Sequence, residues 1–302
     1  MSPTQQSSTK WCRNPLSGVG LGLRTPHYEF VEQHQPDIPW FEVLIDNYLV
    51  DGGEPIQHLT RVRENYPITF HGVGMSLGST DPLNMDYLKS LRDMIERFEP
   101  AQVSDHLAWV STQQTYMHEL LPLPFTEEAI KHVSNRIQQV QDFLGQRILV
   151  ENVSSYMQFR DSDCSEWDFL NEIVQRADCN LLLDINNIYV SAENHQFNAQ
   201  DYLDAIPVSR VREMHLAGYE DRGTYLLDSH SRPVHQPVWE LYKQALQRVG
   251  PAPTLIEWDQ NIPDFNVLLE EAGHADAIAR DILDKPDEQF TNHTAADIVS
   301  RI

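Results

Sequence analysis

The sequence predicts an α/β fold, a single (β/α)8 TIM barrel. Three observations predict it. Short apolar runs alternate with helical patterns throughout the chain. From residue 71 onward, His and acidic residues recur at gaps of roughly 30 to 45 residues, about the length of one βα unit. Six of these apolar runs also end on a His or an acidic residue. Barrels of this kind use about 250 residues as one domain, which a chain of 302 residues accommodates.

Eight strands are expected at 19–23, 40–45, 66–70, 101–105, 147–151, 180–184, 210–215 and 253–258. Several are near-continuous apolar runs, as parallel strands covered on both faces should be. Between them, Leu88, Leu91, Met94, Ile95 and Phe98 mark one helical face, and Ile130, Val133, Ile137, Val140 and Leu144 another. The second of these helices starts after Thr126 with two glutamates in its first turn and stops at Gly145. Ser165 with Asp168 forms a capping-box pattern ahead of Phe169, Leu170, Ile173 and Val174. Val238, Leu241, Tyr242, Ala245, Leu246 and Val249 form a further face, ending at Gly250. The barrel domain is thus expected over 18–284. It lies between a polar arm at 1–17 and a polar, acidic tail at 285–302, weakly amphipathic near 295–302.

A hydrophobic fraction of 41% suits a soluble protein with a large core. The formal net charge of −23 argues against nucleic acid as a substrate, because phosphate binding relies on Lys and Arg. It favours cations or a basic peptide segment instead. Cys12, Cys164 and Cys179 are scattered and odd in number, so they are expected to be reduced thiols. With no apolar segment long enough for a signal or a membrane span, the expected location is the cytoplasm.

The candidate site is the series His71, His106, Glu151, Asp184, His215, Asp228, His230 and Glu257. Barrel closure brings strand ends to one face, where enzymes of this architecture keep their chemistry. Four imidazoles and four carboxylates there exceed the needs of one ion, so a multinuclear metal site is expected. Because strand side chains alternate, Asp105 and His106 cannot both point inward. His106 is favoured as the ligand, with Asp105 free to orient a neighbouring imidazole. Asp228 with His230, Glu257 with Asp259, and Glu213 with His215 are each two apart and face the same way if extended. Glu213 would then lie one layer deeper, where a carboxylate needs a partner. Individually these residues have plainer explanations. A lone His after a strand is more often structural, and Asp184 could simply cap the helix that follows. His27, His34, His58, His118, His132, His195, His274 and His293 are expected to be surface or loop groups. The all-nitrogen-and-oxygen ligand set suits Fe, Mn or Zn.

The segments at 18–24, 70–78, 104–109, 150–156, 184–191, 214–219, 228–230 and 257–259 together resemble the multinuclear non-haem iron-dependent oxidase family, typified by the methanobactin-biosynthesis oxidase. The resemblance spans nearly all of 16–282. It implies a xylose isomerase-like barrel holding two or three iron ions, with Mn or Zn as substitutes in recombinant material. It implies O2-dependent modification of Cys residues in a ribosomally made precursor peptide, and a partner protein that presents the peptide. It also implies His71, His106 and Glu151 at one ion, with Glu151 bridging, and Asp184, His215 and Glu257 at a second. Asn187, Asp228 and His230 would serve a third. A more distant resemblance is to endonuclease IV and sugar isomerase barrels, which share the ligand order; the endonuclease pattern has His where this chain has Asn187. A non-catalytic metal-binding protein is a third class, and would close its site with protein ligands where catalysis needs an open position.

Overall fold

Eight parallel strands pair in sequence order, and the first pairs with the last. They are Val19–Gly22, Phe41–Leu44, Ile68–Gly72, Val103–His106, Leu149–Glu151, Asn180–Asp184, Val211–Leu216 and Thr254–Ile256. The expected barrel is therefore the one found. The computed structural model describes residues 16–284, apart from Gln114 and the side chain of His118. The expected tail, nearly all of the expected arm, and His293 lie outside the described residues. Among the described residues, no helix is long and apolar enough to cross a membrane.

The alternation of strand side chains decides what each face of the barrel holds. Leu21, Phe41, Val43, Ile68, Phe70, Val150, Leu181, Leu183, Met214 and Ile256 join the hydrophobic core that includes the helices. Their chain neighbours Glu42, Thr69, His71, Glu151, Asp184, Glu213 and His215 are equally buried but polar, and they occupy the alternate, inward positions. Trp40 lies beside Gly20, so closely that a Cβ on Gly20 would stand 2.4 Å from the indole. Glycine at 20 is what admits the ring.

Each helix follows its strand for local reasons. In Glu127–Leu144 the Thr126 hydroxyl accepts from the Ala129 amide, Ile130, Val133, Ile137, Val140 and Leu144 are buried, and Gly145 ends the helix at φ 69°. Ser165 caps Glu166–Ala177 through the Asp168 amide. Two antiparallel hairpins were not foreseen: Trp109–Thr112 with Thr115–Leu121 after the fourth strand, and Glu220–Asp221 with Leu226–Leu227 after the seventh. They lengthen the loops at the C-terminal face, and Tyr116, Met117 and Tyr225 on them are exposed.

Two glycines make opposite predictions. Gly20→Ala overpacks the barrel interior and should lower stability by about 1–3 kcal/mol. Gly273, inside the helix Phe265–Leu283, has open space around a new Cβ. Gly273→Ala should raise stability by about 0.5–1 kcal/mol. Urea midpoints of both variants check this, and a tolerated Gly20→Ala would mean that Trp40 does not fill the barrel.

Candidate metal centre

Register brings the strand ends into opposition. His106 pairs with Glu151, Asp184 with His215, and His71 with Ser104. His71, His106, Glu151, Asp184, His215 and Glu257 consequently meet at the C-terminal end of the barrel, forming two sets that share Glu151.

In the first set, the Nε2 atoms of His71 and His106 stand 3.2 Å apart. Glu151 Oε2 lies 3.2 Å from the former and 3.4 Å from the latter. Ligands bound at about 2.1 Å to one ion are separated by roughly 3.0–3.4 Å, so the triangle has the size an ion would impose. Each ring is fixed from behind: His71 Nδ1 is 2.8 Å from the Ser104 hydroxyl, and His106 Nδ1 is 3.1 Å from the Gly72 carbonyl oxygen.

The second set gathers Glu151, Asp184, His215 and Glu257, all buried. His215 Nδ1 lies 3.0 Å from Glu257 Oε2 and 3.9 Å from Glu151 Oε1. Asp184 does cap the helix Ile185–His195, its Oδ1 accepting from the Asn187 amide at 2.6 Å. Its Oδ2 is buried with no hydrogen-bond partner. The capping explanation and the ligand explanation therefore use different oxygens of one carboxylate.

A third group forms around His230, with Glu257 and Asp259. His230 Nε2 is 2.7 Å from Asp228 Oδ1, and its Nδ1 is 3.0 Å from Asp259 Oδ2. The Asp228–His230 segment is not extended as expected: His230 adopts φ 45°, and that turn points its two nitrogens at different carboxylates. Asn186 and Ser154 donate to the Asp228 carboxylate. Asn187 donates through Nδ2 to the Asn152 carbonyl, leaving its buried Oδ1 without a hydrogen-bond partner.

The structure corrects two further expectations. Asp105 orients no imidazole; it points away from the barrel interior and accepts from the Met75 and His106 amides. Ser104, one residue earlier, has the inward parity and does that work for His71. His27 is no surface group either, being 4% exposed and bonded through Nε2 to the Pro263 carbonyl. Several site residues escaped the sequence reasoning altogether. Glu42 sits 3.1 Å from His215 Nε2, and an acidic residue inside the apolar run at 40–45 was the overlooked signal. Arg24 lies against Asp259 at 2.6 Å and Glu257 at 3.8 Å. A Cβ on Gly22 would meet the Arg24 guanidinium at 2.7 Å, so the glycine in 18–24 lets the arginine fold back over the barrel mouth.

The electrostatics favour a bound cation. Burial pushes the Glu151 carboxyl well above the usual carboxylate range and Asp184 up to about 7. Burial and then the neighbouring His106 hold His71 well below the ordinary imidazole range, and burial lowers His106 to about 4. These two rings are therefore neutral donors at physiological pH, as metal ligands must be. The buried, unpartnered atoms include Glu151 Oε2 and Asp184 Oδ2. Buried polar atoms are normally hydrogen-bonded; here they are crowded together and left free, and divalent ions satisfy both conditions.

Without an ion, Asp184 binds its proton up to about pH 7, and an ion must displace that proton. Uptake of Zn2+ by the metal-stripped protein should weaken as the pH falls below about 7 and release protons on binding. Calorimetry in buffers of different ionisation enthalpy measures this. An affinity that does not change with pH, with no proton release, would contradict the ligand assignment.

Comparison with known proteins agrees with the fold. Residues 18–280 match the family model described as "RiPP precursor modification enzyme MbnB/TglH/ChrH". A UPF0276 protein of Acaryochloris marina is 58% identical over 261 residues, covering 86% of this chain and 94% of that protein. One from Anaeromyxobacter is 48% identical over 260 residues, covering 86% and 92%. Among solved structures, endonuclease IV from Thermus thermophilus is similar with a TM-score of 0.56 at 16% identity, covering 89% of this chain and 100% of that one. D-psicose 3-epimerase from Clostridium cellulolyticum gives 0.59 at 10% identity, covering 88% and 99%. At such identities these structures share the barrel and nothing finer. The matched model and the close relatives establish that this chain belongs to the MbnB/TglH/ChrH family of RiPP precursor modification enzymes.

Proposed function

We propose that the protein is a multinuclear iron-dependent oxidase that uses O2 to modify Cys residues of a ribosomally synthesised precursor peptide. The observation that carries this is the pair of His and carboxylate sets sharing Glu151. A carboxylate held between two donor sets can bridge two ions, and an all-N/O donor set suits non-haem iron. The crowded, unpartnered donor atoms fit such ions. His71, His106 and Glu151 would hold one ion, and Glu151, Asp184, His215 and Glu257 the other. Asp228 and His230, with Asn187, would serve a third. When bound, iron would supply Lewis acidity toward a substrate thiolate and the redox capacity to reduce O2.

The chain's own residues define the rest. Ser104 and the Gly72 carbonyl fix the two neutral imidazoles. Arg24 neutralises Asp259 and leans on Glu257, so the mouth of the barrel holds a fixed cation beside its carboxylates. Tyr156 and Met157, on the loop after Glu151, are exposed at that mouth, where a peptide would enter. Cys164 and Cys179 carry free thiols and appear in none of the candidate ligand groups among the described residues, and Cys12 lies outside those residues; in this proposal the reacting thiol is the substrate's. A partner protein that presents the peptide belongs to this proposal, as does a cytoplasmic location, where thiols stay reduced.

Three outcomes are expected. Protein produced with ample iron should carry at least two iron ions per chain; elemental analysis finding one ion or none would count against the proposal. Glu151→Ala should lose metal at both sets, whereas His230→Ala should retain two ions. Equal metal content in the two variants would refute the bridge. With its Cys-containing peptide the enzyme should consume O2 and change the peptide mass, and Cys→Ser in the peptide should abolish both, a hydroxyl being far less ionised than a thiol. Incision of abasic DNA or interconversion of sugars without O2 would overturn the assignment.

A further inference from the structure

The four site imidazoles are held from behind by acceptors of different charge. His71 leans on a hydroxyl and His106 on a backbone carbonyl, both neutral. Behind His230 stands Asp259, whose other oxygen takes the Arg24 guanidinium, so much of that charge is already compensated. His215 is different. Its Nδ1 faces Glu257 and the shared Glu151, while its Nε2 faces down the barrel, 3.1 Å from Glu42 Oε2 and 3.6 Å from Glu213 Oε1. Glu42 is 0% exposed, on the second strand, and neither of its oxygens has a partner in hydrogen-bond geometry. Glu213 accepts from Gln102 through its second oxygen, which leaves Oε1 toward the ring.

Two buried carboxylates behind one imidazole cannot be explained by packing. Nearby positions of the same interior hold Thr69, Leu182 and Leu255, and a leucine would have filled the volume without the cost of burying charge. An anionic acceptor behind a ligating imidazole fixes its tautomer and makes the ring a stronger donor.

We infer that Glu42, supported by Glu213, is a positioning residue. It fixes the Nε2–H tautomer of His215, directs Nδ1 at the ion of the second set, and favours the higher oxidation state at that ion over the one on His71 and His106. The oxidation-state part rests on the iron reading proposed above; the positioning part does not.

Two variants separate the contributions. Glu42→Leu removes the acceptor and the charge, whereas Glu42→Gln keeps an acceptor and removes only the charge. Both are stripped, checked for folding by circular dichroism, and loaded with Zn2+ against a competing chelator. Glu42→Leu should bind one of its two ions roughly ten- to a hundredfold more weakly and leave the other unchanged. Loaded instead with 57Fe and poised at a fixed potential, Glu42→Gln should keep the wild-type number of ions. One iron should show a ferric-to-ferrous ratio at least ~10-fold lower by Mössbauer spectroscopy, a loss of donor strength that a purely structural role would not produce. Should Glu42→Leu fail to fold, Glu213→Gln must weaken the same ion in the same direction, by less. Wild-type zinc affinities in Glu42→Leu, or a wild-type ferric ratio in Glu42→Gln, would overturn the inference. A wild-type protein that takes zinc but no iron would sink the oxidase proposal, while the zinc comparison would still decide whether Glu42 positions His215.

Discussion

A carboxylate sealed inside a protein must find a cation or a proton, and the interior of this barrel is built around that constraint. Parallel pairing and closure turn every second strand residue inward. In an ordinary barrel those positions hold branched apolar side chains, but here the upper part carries Glu42, Glu151, Asp184, Glu213 and Glu257. Arg24 answers part of that charge at the rim. His215, set between Glu42 and Glu257, lies against another part. What remains includes carboxylate oxygens of Glu151 and Asp184 that are buried without hydrogen-bond partners, within ligand distance of neighbouring donor atoms. Bound metal ions would satisfy them.

The same constraint explains the supporting residues. Neutral His71 and His106 come with neutral acceptors, and the charged surroundings of His215 and His230 come with carboxylates. Glu257 sits where burial would raise its pKa, yet His230 and His215 together hold it well below the carboxylate range. Asp184 spends one oxygen on the helix that follows it and keeps the other for the site. A single strand end thus joins the barrel, a helix terminus and the chemistry, so a change at 184 would disturb all three.

The barrel strands were legible because several of their runs are near-continuously apolar and alternate with helical patterns, a signal that burial on both faces forces on the sequence. The site residues at strand ends were legible for a related reason: a His or an acid closing an apolar run breaks the pattern where the barrel opens. Glu42 was missed because it lies within its run, and an isolated charge there looks like an edge or an error until the barrel is closed around it. Arg24 was missed because its role depends on Gly22 leaving room for it, a relation visible only in three dimensions. The choice of Ser104 over Asp105 as the group behind an imidazole turns on parity and on which neighbouring ring lies opposite, and register is not written in one strand alone. The two hairpins at the C-terminal face carry short, mixed strands, whose pattern is too weak to separate from loop.

In the proposed centre, Glu151 joins two ions. X-ray absorption spectroscopy at the iron edge of the loaded protein tests it most directly. The account predicts nitrogen and oxygen scatterers with no protein thiolate, together with an iron–iron vector at roughly 3.5–4 Å, the separation of two-metal sites. A spectrum lacking that vector, or one with sulfur bound to iron in the absence of peptide, would contradict it.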